Sequence, residues 1–103
     1  MEYKLDNYSR NPEMLLMRLA KNCKARRLEH GYSRRTLSEI TGVPAPTIER
    51  FERTGMISLR SFCAIAIEFD YFEEMGTILG RSKYSTSDEL EKITKNINRK
   101  NGR

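Results

Sequence analysis

The sequence has no tryptophan, a single histidine, two cysteines and three prolines among its 103 residues. One histidine excludes a multi-histidine metal site within this chain and leaves little material for a Ser-His-Asp catalytic arrangement. Cys23 and Cys63 have no second cysteine pair to complete a zinc site, so we expect two buried free thiols. The six glycines are dispersed and form no phosphate-binding loop. These absences predict a protein that is not an enzyme and binds no cofactor or metal.

Long hydrophobic runs are also missing. The longest is Phe62-Cys-Ala-Ile-Ala-Ile67, six residues, whereas a membrane-spanning helix needs about 20. The first residues, Met-Glu-Tyr-Lys-Leu-Asp, lack the basic and apolar segments of a signal peptide. We therefore expect a cytoplasmic protein without membrane contact. The chain length predicts one domain with a short appendage.

The net charge of +5 is unevenly distributed along the chain. Residues 21–60 carry nine basic and four acidic side chains, and residues 61–80 carry four acidic and no basic ones. Residues 81–103 are basic again, with seven positive and three negative side chains. Localised positive charge predicts a polyanionic partner, and nucleic acid is the first candidate for a cytoplasmic protein. Charge alone fits solvated helix faces equally well.

A capping motif and an apolar stripe predict the first helix. Asn11 can cap it, Pro12 suits the first turn, and Glu13 favours the positive end of the helix dipole. The helix runs toward Leu28 and ends at Gly31. Its apolar stripe is predicted to contain Met14 or Leu15, Leu19, Cys23 and the stem of Arg26 or Arg27.

Serines, glycines and prolines delimit the next three helices. Ser33 is the predicted N-cap of the second helix, and Gly42 ends it. Because Pro46 biases the residue before it away from helical angles, the third helix is predicted to begin near Pro46 and to end at Thr54-Gly55. Ser58 is the predicted cap of the fourth helix. The residues expected to face the core are Leu37, Ile40, Val43, Ile48, Phe51, Leu59, Phe62, Cys63, Ala66 and Phe69.

The end of the chain is predicted to hold a fifth helix and a basic extension. Asp70 is the predicted cap of the fifth helix and Gly80 its stop, so that five helices occupy about residues 12–79. Residues 81–103 predict a polar linker, a marginal sixth helix and a basic tail, and residues 1–10 an N-terminal arm. The fold class is all-α, with one helical domain over 11–80. Apolar residues of the last two helices are Phe72, Met75, Ile78, Leu79, Leu90, Ile93 and Ile97.

One segment carries the functional prediction, residues 27–52, with the sequence RLEHGYSRRTLSEITGVPAPTIERFE. Two short helices joined by a glycine turn must cross steeply, and the apolar contact that fixes the crossing is predicted to come from Leu37, Ile40, Val43, Ile48 and Phe51. The segment resembles the helix-turn-helix of the Xre/lambda-repressor-like family, and the resemblance covers about residues 14–79. It rests on an arginine, a glycine, a capping serine, a leucine, glycine-valine, threonine-isoleucine and aromatic-glutamate at the expected spacing. It implies a five-helix lambda-repressor-like DNA-binding domain.

The resemblance also implies a docking geometry on DNA. The third helix, from about Ala45 to Arg53, would enter the major groove, and the second helix would lie across the DNA backbone. Arg27 and Glu52 match a structural ion pair of the family. The family commonly has glutamine where this chain has Arg34, and arginine preserves a phosphate contact by charge.

The resemblance assigns roles to individual side chains of these two helices. Ala45, Pro46 and Arg50 match base-facing positions, and we expect an apolar contact such as a thymine methyl at the first two and a guanine at Arg50. Arg34 and Thr47 match phosphate-contacting positions. The full set of predicted DNA-binding residues is Arg34, Arg35, Ala45, Pro46, Thr47, Glu49, Arg50, Arg53 and Arg60.

The sequence thus predicts a sequence-specific transcriptional regulator, a repressor that binds double-stranded DNA as a homodimer. The extension 81–103 is similar to that of HipB-like antitoxins, which implies a kinase toxin as protein partner and repression of the protein's own operon. A protein-interaction adaptor on a helix-turn-helix scaffold is the alternative from another class, with the acidic segment 68–74 and the apolar edge of the last helix as its binding surface. Salt-dependent DNA binding distinguishes the adaptor from the regulator.

Overall fold

A computed structural model describes residues 10–82 and Thr94, and every regular element within 10–82 is helical. The predicted all-α class is confirmed for this part of the chain. The predicted N-terminal arm, apart from Arg10, and the predicted sixth helix, apart from Thr94, lie outside the described residues. The helices are α1 (Pro12–Glu29), α2 (Arg34–Thr41), α3 (Ala45–Thr54), α4 (Leu59–Glu68) and α5 (Phe72–Gly76).

Local capping chemistry sets most of the helix ends. Asn11, Ser33 and Ser58 cap α1, α2 and α4, and each side-chain oxygen accepts a hydrogen bond from a backbone N–H three residues on, at 2.8, 3.0 and 3.1 Å. Gly42 and Gly55 end α2 and α3, both with a left-handed φ of +81°. These five boundaries are confirmed because side-chain caps and left-handed glycines act within a few residues of sequence.

The core lies where α2, α3 and α4 meet, and α1 packs mainly against α3. Ile65 of α4 is 1% exposed although the sequence analysis does not include it, whereas Leu59, predicted to face inward, is 73% exposed. The buried residues Ile65, Ala66 and Phe69 lie in the second half of α4 and at its end, whereas Leu59 is the first residue of the helix, so its exposure follows from its place at the helix end. The buried hydrophobic residues are Ala20, Leu37, Val43, Ile48, Phe51, Ile65, Ala66 and Phe69.

Ile40 of α2 is a second prediction that is wrong, because the side chain is exposed. The inward side of α2 runs instead through Leu37 and Thr41, which are four residues apart. The Thr41 hydroxyl donates a hydrogen bond to the Leu37 carbonyl at 2.8 Å. In the last turn of α2, the inward position is therefore occupied by Thr41, whose hydroxyl is hydrogen-bonded, and not by Ile40.

The inward face of α1 also differs from the predicted stripe. Met14 and Leu15 are exposed, so their predicted place on the stripe is wrong. A Cβ added to Gly55 would lie only 3.0 Å from the Cβ of Leu16 and 3.1 Å from the Leu16 carbonyl carbon. Leu16, rather than its two predecessors, therefore lies against the end of α3. The buried and half-buried residues on this side of α1 include Leu16, Leu19, Ala20, Cys23 and Arg27.

The fifth helix is shorter than predicted. Asp70 does not cap it but adopts a left-handed φ of 69°, and the N-cap is Tyr71, without a side-chain hydrogen bond. The helix ends at Gly76, and the following residues form turns in which the Gly80 N–H bonds to the Thr77 carbonyl at 2.9 Å. An uncapped start and a glycine in a short helix both weaken it. The predicted apolar residues Phe72, Ile78 and Leu79 are consequently exposed.

Candidate nucleic-acid interface

The connection between α2 and α3 is a three-residue turn, residues 42–44. Gly42 adopts the left-handed conformation that a residue with a Cβ rarely takes. Val43, which follows it, is buried in the core, as predicted. The Val43 N–H donates to the Thr41 hydroxyl at 3.2 Å. The turn is therefore fixed by backbone conformation, by burial and by a side-chain hydrogen bond.

The start of α3 contains two prolines and differs by one residue from the predicted start. Pro44 is the N-cap and Ala45 the first helical residue, whereas the sequence analysis places the start near Pro46. The Thr47 and Ile48 N–H groups both donate to the Pro44 carbonyl, at 2.9 and 3.1 Å. Pro46 is tolerated here because an N–H in the first turn has no partner within the helix. The tendency of Pro46 to keep Ala45 out of helical angles is thus outweighed by the good fit of proline in the first turn of a helix.

The two sides of α3 differ sharply in environment. Ile48 and Phe51 are almost completely buried, and Phe51 packs edge-on against Phe62 of α4, with ring centroids 5.8 Å apart. Pro46 and Arg50 are exposed on the other side. Within residues 10–82, the Arg50 guanidinium makes no hydrogen bond or ion pair. α3 is therefore anchored by one face and leaves an arginine available on the other.

A cluster of three charged side chains joins α1, α2 and α3. Arg27 and Glu52 form the predicted ion pair through two hydrogen bonds, from Nε at 2.7 Å and from Nη2 at 3.0 Å. Their side chains are only 7% and 4% exposed. Arg27 also donates to the Tyr32 carbonyl at 2.9 Å. The third member is Arg34, whose Nε donates to the same Glu52 carboxylate at 2.9 Å.

The cluster changes the acid-base behaviour of its neighbourhood. Burial alone would raise the pKa of Glu52, but hydrogen bonds from Arg27 and then Arg34 outweigh it and hold that pKa below its usual value. Burial, with a smaller contribution from the Glu52 charge, raises the pKa of Cys23 to about 11. Both cysteines are free, as predicted, but half-buried rather than buried. Glu52 is therefore ionised and Cys23 protonated at neutral pH.

The remaining predicted side chains lie on α2, α3 and the first turn of α4. Arg35 is 88% exposed and 3.6 Å from Glu39. Arg53 donates from Nε to Glu49 at 3.0 Å on the surface of α3. The structure brings Arg34 next to α3 through Glu52, while Arg60 lies on α4, outside the α2–α3 pair. Pro46 and Arg60 are exposed, and Ala45 and Thr47 half-buried.

The contact between Arg34 and Glu52 is the feature that sequence reasoning missed. From the sequence, Arg34 is predicted to contact only a phosphate and Glu52 only Arg27. The two residues are 18 positions apart, so no helical spacing relates them. The one signal in the sequence is the second arginine itself, since two cations can share one buried carboxylate.

Comparisons of the chain with protein-family models, with curated proteins and with solved structures find no match. Among the described residues, no group of three or more histidine, cysteine, aspartate and glutamate side chains could hold a metal ion. The helices of that same part of the chain include none with the length and apolar character needed to cross a membrane.

Proposed function

We propose that this protein is a sequence-specific DNA-binding transcriptional regulator of the Xre/lambda-repressor-like type. In this proposal α2, the turn and α3 form a helix-turn-helix, and α3 enters the major groove of duplex DNA. The five helices then correspond to the lambda-repressor-like arrangement that the sequence resemblance implies.

The observation that carries the proposal is the contrast between the two sides of α3. Ile48 and Phe51 hold the helix to the core, and Glu52 ties its last turn to α1 and α2. The Arg50 guanidinium, on the exposed side, makes no hydrogen bond or ion pair with another described residue. A helix that reads base edges needs this combination, because a fixed backbone places the side chains in register and unpaired donors reach the bases.

The proposed contacts with bases follow from side-chain chemistry on that exposed side. The Arg50 guanidinium can donate two hydrogen bonds to the O6 and N7 of a guanine. Ala45 and Pro46 offer apolar surface for a thymine methyl group. Arg53 and Glu49 pair with each other in the free protein, so either one must exchange its partner to contact DNA.

The proposed contacts with phosphates come from the cationic and hydroxyl side chains around α3. Arg34 and Arg35 lie at the start of α2, and Arg60 lies in the first turn of α4. Thr47 adds a hydroxyl in the first turn of α3. Such contacts set the position of a protein on DNA and the dependence of its affinity on salt, without carrying sequence information.

We further propose that the protein acts as a homodimeric repressor. One short recognition helix reads too few base pairs for tight selectivity, so two copies about one DNA turn apart are expected. The exposed apolar residues Phe72 and Leu79 provide surface that a second copy can cover. The interpretations as a toxin-binding antitoxin and as a cytoplasmic protein stay predictions.

The test is selection of preferred sites from a random duplex pool, followed by affinity titrations at several salt concentrations. We expect a defined base preference and a steep fall in affinity with salt, because several phosphates are neutralised. Arg50→Ala should cost about 1–3 kcal/mol on the preferred site and relax one base position in each half-site.

Lys24→Ala is the matched control for this test. Lys24 is an exposed cation on α1, outside the predicted DNA-binding set, so its removal changes net charge by the same amount. The Lys24→Ala variant should have the same base preference as the parent protein. An unchanged preference in Arg50→Ala would remove the assignment of Arg50, and absence of duplex binding at low salt would refute the proposed function and favour the adaptor.

A further inference from the structure

The three-membered charge cluster is more than the ion pair that holds α1 to α3. Glu52 has two carboxylate oxygens, and both accept hydrogen bonds from Arg27, from Nε and from Nη2. The oxygen bonded to Nη2 also accepts from Nε of Arg34, at 2.9 Å. Two guanidinium groups thus converge on one almost fully buried carboxylate.

The two arginines of the cluster differ in how much of each side chain reaches solvent. The Arg27 side chain is 7% exposed, and it is further bonded to the Tyr32 carbonyl. The Arg34 side chain is 41% exposed and is bonded to Glu52 through Nε. A guanidinium carries five N–H donors in a planar fork, so the bond from Nε leaves those on the Nη atoms for a second acceptor.

We infer that Glu52 is a positioning residue, which holds the Arg34 side chain so that its Nη groups bind a DNA phosphate. This inference rests on the proposed function and adds to it a second role for the carboxylate that anchors α3. One buried carboxylate then fixes the position of α3, which reads the bases, and orients Arg34, which binds the DNA phosphate.

The physical advantage is a lower cost of ordering. A surface arginine that binds phosphate normally loses much of its rotamer freedom on binding. Because Nε of Arg34 is already bonded to Glu52, part of that freedom is lost when the protein folds. The planar guanidinium is also oriented by this bond, and a phosphate can be gripped by two parallel hydrogen bonds from it.

The experiment compares lysine substitutions at two neighbouring arginines. Arg34→Lys keeps the charge but replaces the planar fork, so it cannot donate to Glu52 through Nε and also present two parallel donors to a phosphate. Arg35→Lys is the matched control, because Arg35 is 88% exposed and lies 3.6 Å from its nearest carboxylate, Glu39. Affinity for the selected duplex and its dependence on salt are measured for both variants by fluorescence anisotropy.

The inference predicts that Arg34→Lys binds about fivefold or more weakly than the parent with an unchanged salt slope, since the number of neutralised phosphates stays the same. Arg35→Lys should bind within about twofold of the parent. Arg34→Gln, which loses the charge, should lower the affinity and also make the salt slope shallower by about 0.9. Circular dichroism at the assay temperature verifies that every variant is folded.

A second variant tests Glu52 itself. Glu52→Gln keeps Arg34 and its charge but weakens the bond that orients it, so affinity should fall and the salt slope should stay that of the parent. A folded Glu52→Gln variant with the affinity of the parent would overturn the inference, and the assay is run at a temperature at which circular dichroism shows this variant to be folded.

Two results of the lysine comparison would also overturn the inference while leaving the proposed function intact. One is Arg34→Lys with the affinity of the parent, which would make Arg34 a simple point charge. The other is an equal loss in Arg34→Lys and Arg35→Lys, which would show a general preference for arginine. A parent protein that binds no duplex would instead overturn the proposed function, and the inference with it.

Discussion

Removing the charge of Glu52 should destabilise the domain strongly. The Glu52 side chain is 4% exposed and accepts three hydrogen bonds from Arg27 and Arg34. Glu52→Gln leaves the buried Arg27 guanidinium without a counter-charge. Loss of one partner of a buried ion pair costs about 3–5 kcal/mol. Because glutamine keeps one acceptor oxygen and Arg34 is partly solvated, we expect the lower end, about 3 kcal/mol.

This loss is large for a domain of this size. A folded unit of about 70 residues has a free energy of unfolding of roughly 4–10 kcal/mol. With a urea m-value of about 1 kcal/mol per molar, a loss of about 3 kcal/mol moves the unfolding midpoint by about 3 M. Equilibrium urea unfolding followed by far-ultraviolet circular dichroism measures this shift directly.

Two further variants separate the ion pair from a general effect of substitution. Glu39→Gln removes a carboxylate from an exposed pair and should cost less than about 1 kcal/mol. The double variant Arg27→Met with Glu52→Leu removes both buried charges and should recover much of the lost stability, because apolar pairs of similar volume replace buried ion pairs well. If Glu52→Gln lowered the urea midpoint no more than Glu39→Gln does, the reasoning would be refuted.

Three further predictions follow from glycine geometry and from the two pKa shifts. Gly55→Ala should be more destabilising than Gly42→Ala by about 1–3 kcal/mol. Both glycines have a φ of +81°, but only at position 55 would the added Cβ lie against Leu16. Equal urea midpoints for the two variants would contradict this. The lowered pKa of Glu52 gives stability that is present above its usual value of 4.5 and lost as pH falls through the folded-state pKa. Between pH 5 and 3 the parent should therefore lose more stability than Glu52→Gln, and parallel pH profiles would argue against it. Because the pKa of Cys23 is raised to about 11, little of its thiol is ionised at pH 8, and iodoacetamide should alkylate it about 100-fold more slowly in the native protein than in the urea-unfolded chain. Mass spectrometry follows the reaction. Equal rates in the two states would show that the thiol is not shielded.

Features that depend on nearby residues could be predicted from the sequence. The caps at Asn11, Ser33 and Ser58 act over three residues, and the turn at Gly42 needs only the conformational freedom of glycine. The ion pair of Arg27 with Glu52 spans 25 residues and was accessible only through the family resemblance. Helix existence and most helix ends were thus predictable, because their causes lie within a few residues of each position.

Features that depend on how helices meet could not be predicted in the same way. Ile65 and Leu59 are both apolar, and the part of α4 that the other helices cover decides that the first is buried and the second exposed. The close approach of Leu16 to Gly55 brings together two segments that are distant in sequence. The bond from Arg34 to Glu52 likewise arises only once α2 and α3 are joined. In each case the deciding contact is made by a residue distant in sequence.

The close contact between Gly55 and Leu16 has a consequence for how the protein could diversify. It holds the end of α3 against α1, and the Arg27–Glu52 pair fixes the same end by charge, so the pose of α3 does not depend on its outward side chains. Residues 46, 49, 50 and 53 can therefore be exchanged without repacking the core. The position of α3 is therefore separated from the chemistry of its exposed surface, and substitutions at these four positions should cost little stability.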